Sequence, residues 1–149
     1  MKTPLFAFAA LGALVSLGWA GRRWIGKTNS VPTILLGADT HGLLIRELTP
    51  TEDHTRVVPW QAVHSVAAYK MDQFSLDIIA LGFRLADGTK LEFDEEVEGW
   101  ADLAQGLHYY LPGCIPFHEW FKPVAFPSFQ INFTEIFKRG SAPQVELQQ

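Results

Sequence analysis

The densest group of side chains able to do chemistry is the acidic run Glu92-x-Asp94-Glu95-Glu96-x-Glu98. Carboxylates packed this closely bind a basic partner protein or a divalent cation. The spacing is not the Asp-x-Asp-x-Asp-Gly loop of a calcium site. The run also falls where a strand should give way to a helix, and there it serves equally as a solvated strand end and helix cap. We take Glu92, Asp94, Glu95, Glu96 and Glu98 as the candidate partner-binding residues and expect no metal. Asp72 and Asp77 flank Phe74. They would do acid/base work if they shared a cleft with separated pKa values, but nothing in the spacing forces that, and they read as turn and strand-cap residues. His41, His54, His64, His108 and His118 never fall at the close spacings that build zinc sites, and His118-Glu119 opens no zinc-protease motif. Cys114, the single cysteine, has no nearby base or positive field to activate it. No phosphate loop, nucleophile elbow or dinucleotide glycine pattern occurs. No catalytic residue and no cofactor are therefore assigned.

These side chains need elements to hold them. Beyond a polar linker at 28–32, short β-rich runs alternate with turns. The expected strands are Thr33–Leu36, Leu43–Leu48, His54–Trp60, Val63–Lys70, Leu76–Ala86 and Lys90–Val97. Gly42 is expected to close the first hairpin with a positive φ, and Asp87-Gly88 to close the last. In the fourth strand the alternation puts Val63, Ser65, Ala67 and Tyr69 on one face and His64, Val66, Ala68 and Lys70 on the other. The period then changes. Trp100, Leu103, Ala104, Leu107 and Leu111 form one helical stripe, stopped at Pro112-Gly113. Such a stripe must pack on the sheet. Short turns imply antiparallel pairing. The expected fold is mainly β: a curved antiparallel sheet or partly open barrel, capped by one amphipathic helix and preceded by a single transmembrane helix.

That membrane segment is read from charge. The formal net charge is −4, with 12 basic and 16 acidic residues, which speaks against electrostatic nucleic-acid binding. Residues 1–27 hold four basic residues and no acid, so residues 28–149 carry −8. Between Lys2 and Arg22 lie 19 uncharged residues, close to the ~20 needed to span a bilayer. Residues 3–21 are therefore expected to engage the lipid bilayer as a single-pass anchor. Arg22, Arg23 and Lys27 would hold the following domain on the cytoplasmic side of the inner membrane, with Trp19 and Trp24 in the interface. Alternatives are a signal cleaved near Ala20, which would place the domain in the periplasm or outside the cell, and a buried core helix. Ala9, Gly12, Ala13 and Ser16 would let two such helices approach as a weak homodimer, although Ala/Gly-rich segments contain such pairs by chance.

The run Val57-Val58-Pro59-Trp60-Gln61-Ala62-Val63-His64-Ser65-Val66 resembles an apolar-x-Trp-x-x-apolar stretch of bacterial pleckstrin-homology-like domains. The resemblance covers roughly residues 33–111. It implies that fold and a recognition role, and it carries over no catalytic residue. This chain departs from it in showing six strands before the helix rather than seven. The domain is expected over 33–113. An aromatic-rich extension, 114–139, follows and then a disordered tail, 140–149. Phe117, Trp120, Phe121, Phe126, Phe129, Phe133 and Phe137 load the extension. So many rings must wrap the sheet or meet a partner or membrane surface, and wrapping is the expectation. The resulting function is a membrane-tethered, non-catalytic interaction domain binding a protein. Alternatives are an immunity-type inhibitor of a basic toxin or enzyme, and a small enzyme with dispersed groups. Phosphoinositide binding would need a basic loop cluster that this acidic domain lacks.

Overall fold

Runs rich in Val, Ile and Leu, each closed by a polar turn, give the chain its hairpins. The computed structural model describes residues 31–73 and 76–140. Strands β1 (Thr33–Ala38), β2 (Gly42–Leu48) and β3 (Asp53–Pro59) form one antiparallel sheet in that order. The Asp39 side chain closes the first turn, accepting the His41 and Gly42 backbone N–H groups at 2.7 and 3.1 Å. Those two bonds hold its carboxyl below the usual range. Gly42 does not take a positive φ, contrary to expectation. Its glycine identity follows from close approach instead: a Cβ there would lie 2.2 Å from the Val58 carbonyl oxygen.

The expected single curved sheet or partly open barrel is corrected at Pro59, which has no N–H to offer. A short 3₁₀ turn, Trp60–Ala62, follows, and the next strand joins a second sheet. That sheet contains β4 (Val63–Gln73), β5 (Leu76–Leu85), β6 (Lys90–Asp94) and β7 (Phe133–Lys138), in the order β6-β5-β4-β7. Neither sheet is closed into a barrel. The seventh strand comes from the aromatic extension and pairs with β4.

Among the described residues two helices cover the sheets where one was expected. Helix α1 (Trp100–Tyr110) buries the stripe of Trp100, Leu103, Ala104 and Leu107. Helix α2 (Phe117–Ala125) buries Trp120 and Val124 and carries Pro123 within its last turns. All these side chains join one core with Leu43, Ile45 and Val58 of the first sheet and Val66, Leu81, Phe83, Leu91 and Phe93 of the second. Among the described residues, two of the three buried tryptophans have the indole N–H used, while the Trp120 N–H is buried without a partner. Trp60 donates to the Asp39 carbonyl (2.7 Å) and stacks on Tyr110 at 5.1 Å, and Trp100 donates to the Phe93 carbonyl (3.0 Å). The extension wraps only in part: Trp120 and Phe137 are buried, whereas Phe126, Phe129 and Phe133 are exposed.

Residues 3–21 and Trp19, Arg22, Arg23, Trp24 and Lys27 lie outside the described residues, as does the tail from 141. Among the described residues no helix is long and apolar enough to cross a membrane.

Candidate functional site

A groove of about 510 Å³ runs over the outer face of the four-stranded sheet. Its floor is set by small residues on the two central strands, Ser65 and Ala67 of β4 and Gly82 of β5. The face that carries them differs from the simple alternation. A register shift between Val63 and Ser65 reverses the start of β4, so Val63 turns into the core with Val66 and Ala68 while His64 lines the groove. A second shift, between β4 and β7, lets the consecutive residues Ile136 and Phe137 both bury. Such bulges re-aim side chains at the edge of a sheet.

Directly opposite residues share a face, so the registers order the groove in rows. Lys90, Arg84, Ser65 and Lys138 stand side by side across all four strands. The next row is Glu92, Gly82, Ala67 and Glu135, and the third is Asp94, Ala80, Tyr69 and Phe133. The groove thus has a cationic end, carboxylates on both walls of its middle, and an aromatic end.

The cationic end is poorly neutralised. Lys138 reaches Glu135 at 3.9 Å, but among the described residues Arg84 and Lys90 have no ion-pair partner. Like charges directly opposite cost a sheet about 0.2–1 kcal/mol. At the other end Tyr69 lies over Gly82, whose missing side chain makes room: a Cβ there would come within 3.0 Å of the ring. Tyr69 stacks on Phe133 at 6.1 Å and donates its hydroxyl to Glu92. Burial first, then the Glu92 carboxylate, push the phenol well above its ordinary pKa. Its hydroxyl is thereby committed to the Glu92 carboxylate. The arrangement suits recognition of an extended segment that brings an anionic group to one end and an apolar one to the other.

Of the acidic run, Glu92 and Asp94 share the outer face of β6, and the remaining members lie in the turn that follows. Glu92 stands on the groove wall. Asp94 accepts the Glu96 N–H (2.9 Å) in the turn after β6, and Glu95 accepts the Ile79 N–H (3.0 Å). Glu98 gives its backbone carbonyl to the Leu36 N–H (2.8 Å). The side chains of Glu96 and Glu98 are exposed away from these bonds. Asp77 is not the strand cap expected of it. It faces the buried Lys70 across 3.4 Å and accepts the Phe129 N–H at 2.8 Å; the Asp72 side chain lies outside the description. Among the described residues no three His, Cys, Asp or Glu side chains converge where a metal ion would sit.

Cys114 is buried, and burial lifts its thiol to about 12. The native protein should resist a thiol-specific reagent at pH 8 and react once unfolded in urea, a difference readable by intact mass. The raised pKa also has a sign for stability. Its contribution is complete below the ordinary value of 9.0 and is lost as pH climbs toward 12, because only the unfolded thiol ionises in that window. Rapid native labelling would show that the Leu111–Ile115 corner opens.

The groove residues Arg84, Lys90, Tyr69, Glu135 and Lys138 were not singled out from sequence. Arg84 and Lys90 are equidistant from Asp87, so the expected hairpin already pairs them. Lys138 and Glu135 carried no local signal, because their strand pairs with one far back in the chain. The chain matches no family model, no curated protein and no solved structure in any of the three comparisons.

Proposed function

We propose that the chain is a membrane-tethered interaction domain of pleckstrin-homology-like build, which receives an extended segment of a protein partner in the groove of its four-stranded sheet. The observation that carries the reading is the three-row outer face: Arg84 and Lys90, unpaired among the described residues, at one end, a floor of Ser65, Ala67 and Gly82, and the Tyr69–Phe133 stack at the other. Seven strands in two antiparallel sheets and an amphipathic helix, among the described residues, support the resemblance in number. They differ in order, since β7 follows the helices. The membrane tether rests on residues 3–21 and the basic residues after them.

The groove lies along the sheet face, and its Tyr69 hydroxyl is committed to Glu92, an arrangement that suits an extended ligand. The proposal is tested with a photo-crosslinking residue at Ala67 in the full chain, made in its own cells. A discrete adduct from Ala67, absent from a control at exposed Thr55 and weakened by Arg84→Glu, is the expected result. Equal labelling from both positions would remove the groove from the interface.

A further inference from the structure

The loop after α2 holds apolar side chains out in water. Phe126 is 62% exposed, Phe129 73% and Ile131 84%, and Leu76 on the adjoining hairpin 63%. Isolated exposed hydrophobics are ordinary, but four at one end of a sheet mark a contact surface. The loop is not slack. Lys70 donates its ammonium to the Pro127 carbonyl and its backbone N–H to the Asn132 carbonyl (3.0 Å). Asp77, paired with that ammonium, accepts the Phe129 N–H. Asn132 donates to the carbonyls of Val124 and Phe126, both at 3.1 Å. Phe129 is fixed at φ 61, a left-handed conformation that a bulky residue adopts only when its surroundings dictate it. Lys70 is the one buried charged residue in the described core, and it is spent on keeping these rings facing outward.

We infer that this loop seats in the interfacial layer of a lipid bilayer, as a second contact beside the N-terminal anchor; the inference rests on the tether proposed above. Three observations select lipid as the occupant. Residues 123–134 contain no charged side chain, although residues 28–149 carry −8; Lys122 flanks them on the helix side and Glu135 on the strand side. The one acid bonded to this loop, Asp77, is neutralised by Lys70 beneath it. Between its apolar side chains stand neutral polar ones, Ser128, Gln130 and Asn132, the mixture that suits a headgroup boundary, where aromatic rings concentrate. Finally, the linker at 28–32 spans at most roughly 18 Å when extended, so an anchored chain keeps its domain against the membrane surface.

The test uses the full chain with Ile131→Cys bearing a polarity-sensitive fluorophore, since buried Cys114 is shielded from the label. A second preparation carries the label at Thr89→Cys, in the turn at the opposite end of β5. Both are mixed with phosphatidylcholine/phosphatidylglycerol vesicles containing a headgroup-level quencher, and vesicle flotation is measured on the same samples. The inference expects loss of most of the Ile131→Cys emission and little change at Thr89→Cys. If the chain floats with vesicles while the Ile131→Cys label stays bright, the loop inference fails and the tether stands. If the label is quenched although flotation shows no stable anchoring, the loop inference holds and the tether fails. If neither occurs, both fall. A lipid-free spectral shift that grows with protein concentration would assign the loop to a second copy of the chain and overturn the inference.

Discussion

Replacing Lys70 by methionine should destabilise the folded protein by about 3 kcal/mol, the lower end of what removing one member of a buried ion pair costs. Lys70 is 3% exposed, and its ammonium answers two acceptors, Asp77 and the Pro127 carbonyl. Methionine fills the same volume, so the loss is not a cavity effect. It comes from leaving a carboxylate and a carbonyl without their cation. Asp77 is the less buried member of the pair, at 19% for its side chain, which places the cost at the low end of that range. The check is urea unfolding with a shifted midpoint and an unchanged slope. The double variant Lys70→Met/Asp77→Leu removes both charges and should recover most of the loss, though not all, because the Phe129 N–H then lacks an acceptor. A single variant within about 0.5 kcal/mol of the parent, the range of ordinary surface substitutions, would mean the pair does not hold the loop.

Lys70 also marks how far the sequence could be read. The alternation of β4 placed it on the face with Val66 and Ala68, and that is where it lies. What alternation does not show is that the face is the core, or that a counter-charge seven residues on would meet it. Local features were legible for physical reasons. A hairpin is closed by its own turn, so Asp87-Gly88 and the runs on either side settled β5 and β6. A helical stripe declares itself within three turns, so α1 was found at its first residue, Trp100. Helix α2 was also present in the pattern, since Phe117, Trp120, Phe121 and Val124 fall at i, i+3, i+4 and i+7. Prolines at 116, 123 and 127 concealed it, being helix breakers by type. Pro116 only precedes the helix, Pro127 follows it, and Pro123 is tolerated because it sits near the end.

The groove was far less legible. Its two central strands and β6 were expected, yet the face they present depends on a register shift at Val63/Ser65 that no residue type announces. One whole wall is β7, which reaches β4 from more than sixty residues away in the chain. Such a pairing is set by the closed core rather than by neighbours in sequence. Likewise, the division into two sheets turns on the pivot at Pro59-Trp60, where the reading ended a strand without ending the sheet. The acidic run, the most conspicuous group in sequence, divides between the outer face of β6, which holds Glu92 and Asp94, and the turn after it, where Glu95, Glu96 and Glu98 follow. The cations opposite each other at Arg84 and Lys90 were the quieter and more informative pair.

That dependence on non-local closure gives the second large effect. Gly99→Ala should cost about 2–4 kcal/mol and loosen the three-stranded sheet from the rest of the core. Gly99 sits at φ 87 just before α1, where an L-residue is strained by about 1–2 kcal/mol. A Cβ at that position would lie 2.0 Å from the Leu36 carbonyl oxygen, and this neighbour is backbone, so it cannot swing aside. Leu36 is held there by its N–H donating to the Glu98 carbonyl, at 2.8 Å, beside the parallel bridge of Leu35 to Glu98. Relieving the clash breaks that bond, and an unpaired buried donor adds about 1–3 kcal/mol. The damage should be uneven. Amide exchange should rise first in β1 and β2, while β4 and β5 keep their protection, because the bridge joins β1 to the turn entering α1 and plays no part in the β4–β5 ladder. Uniform loss of protection across both sheets would show that the two layers unfold as one unit and that the Leu36–Glu98 junction is not where they separate.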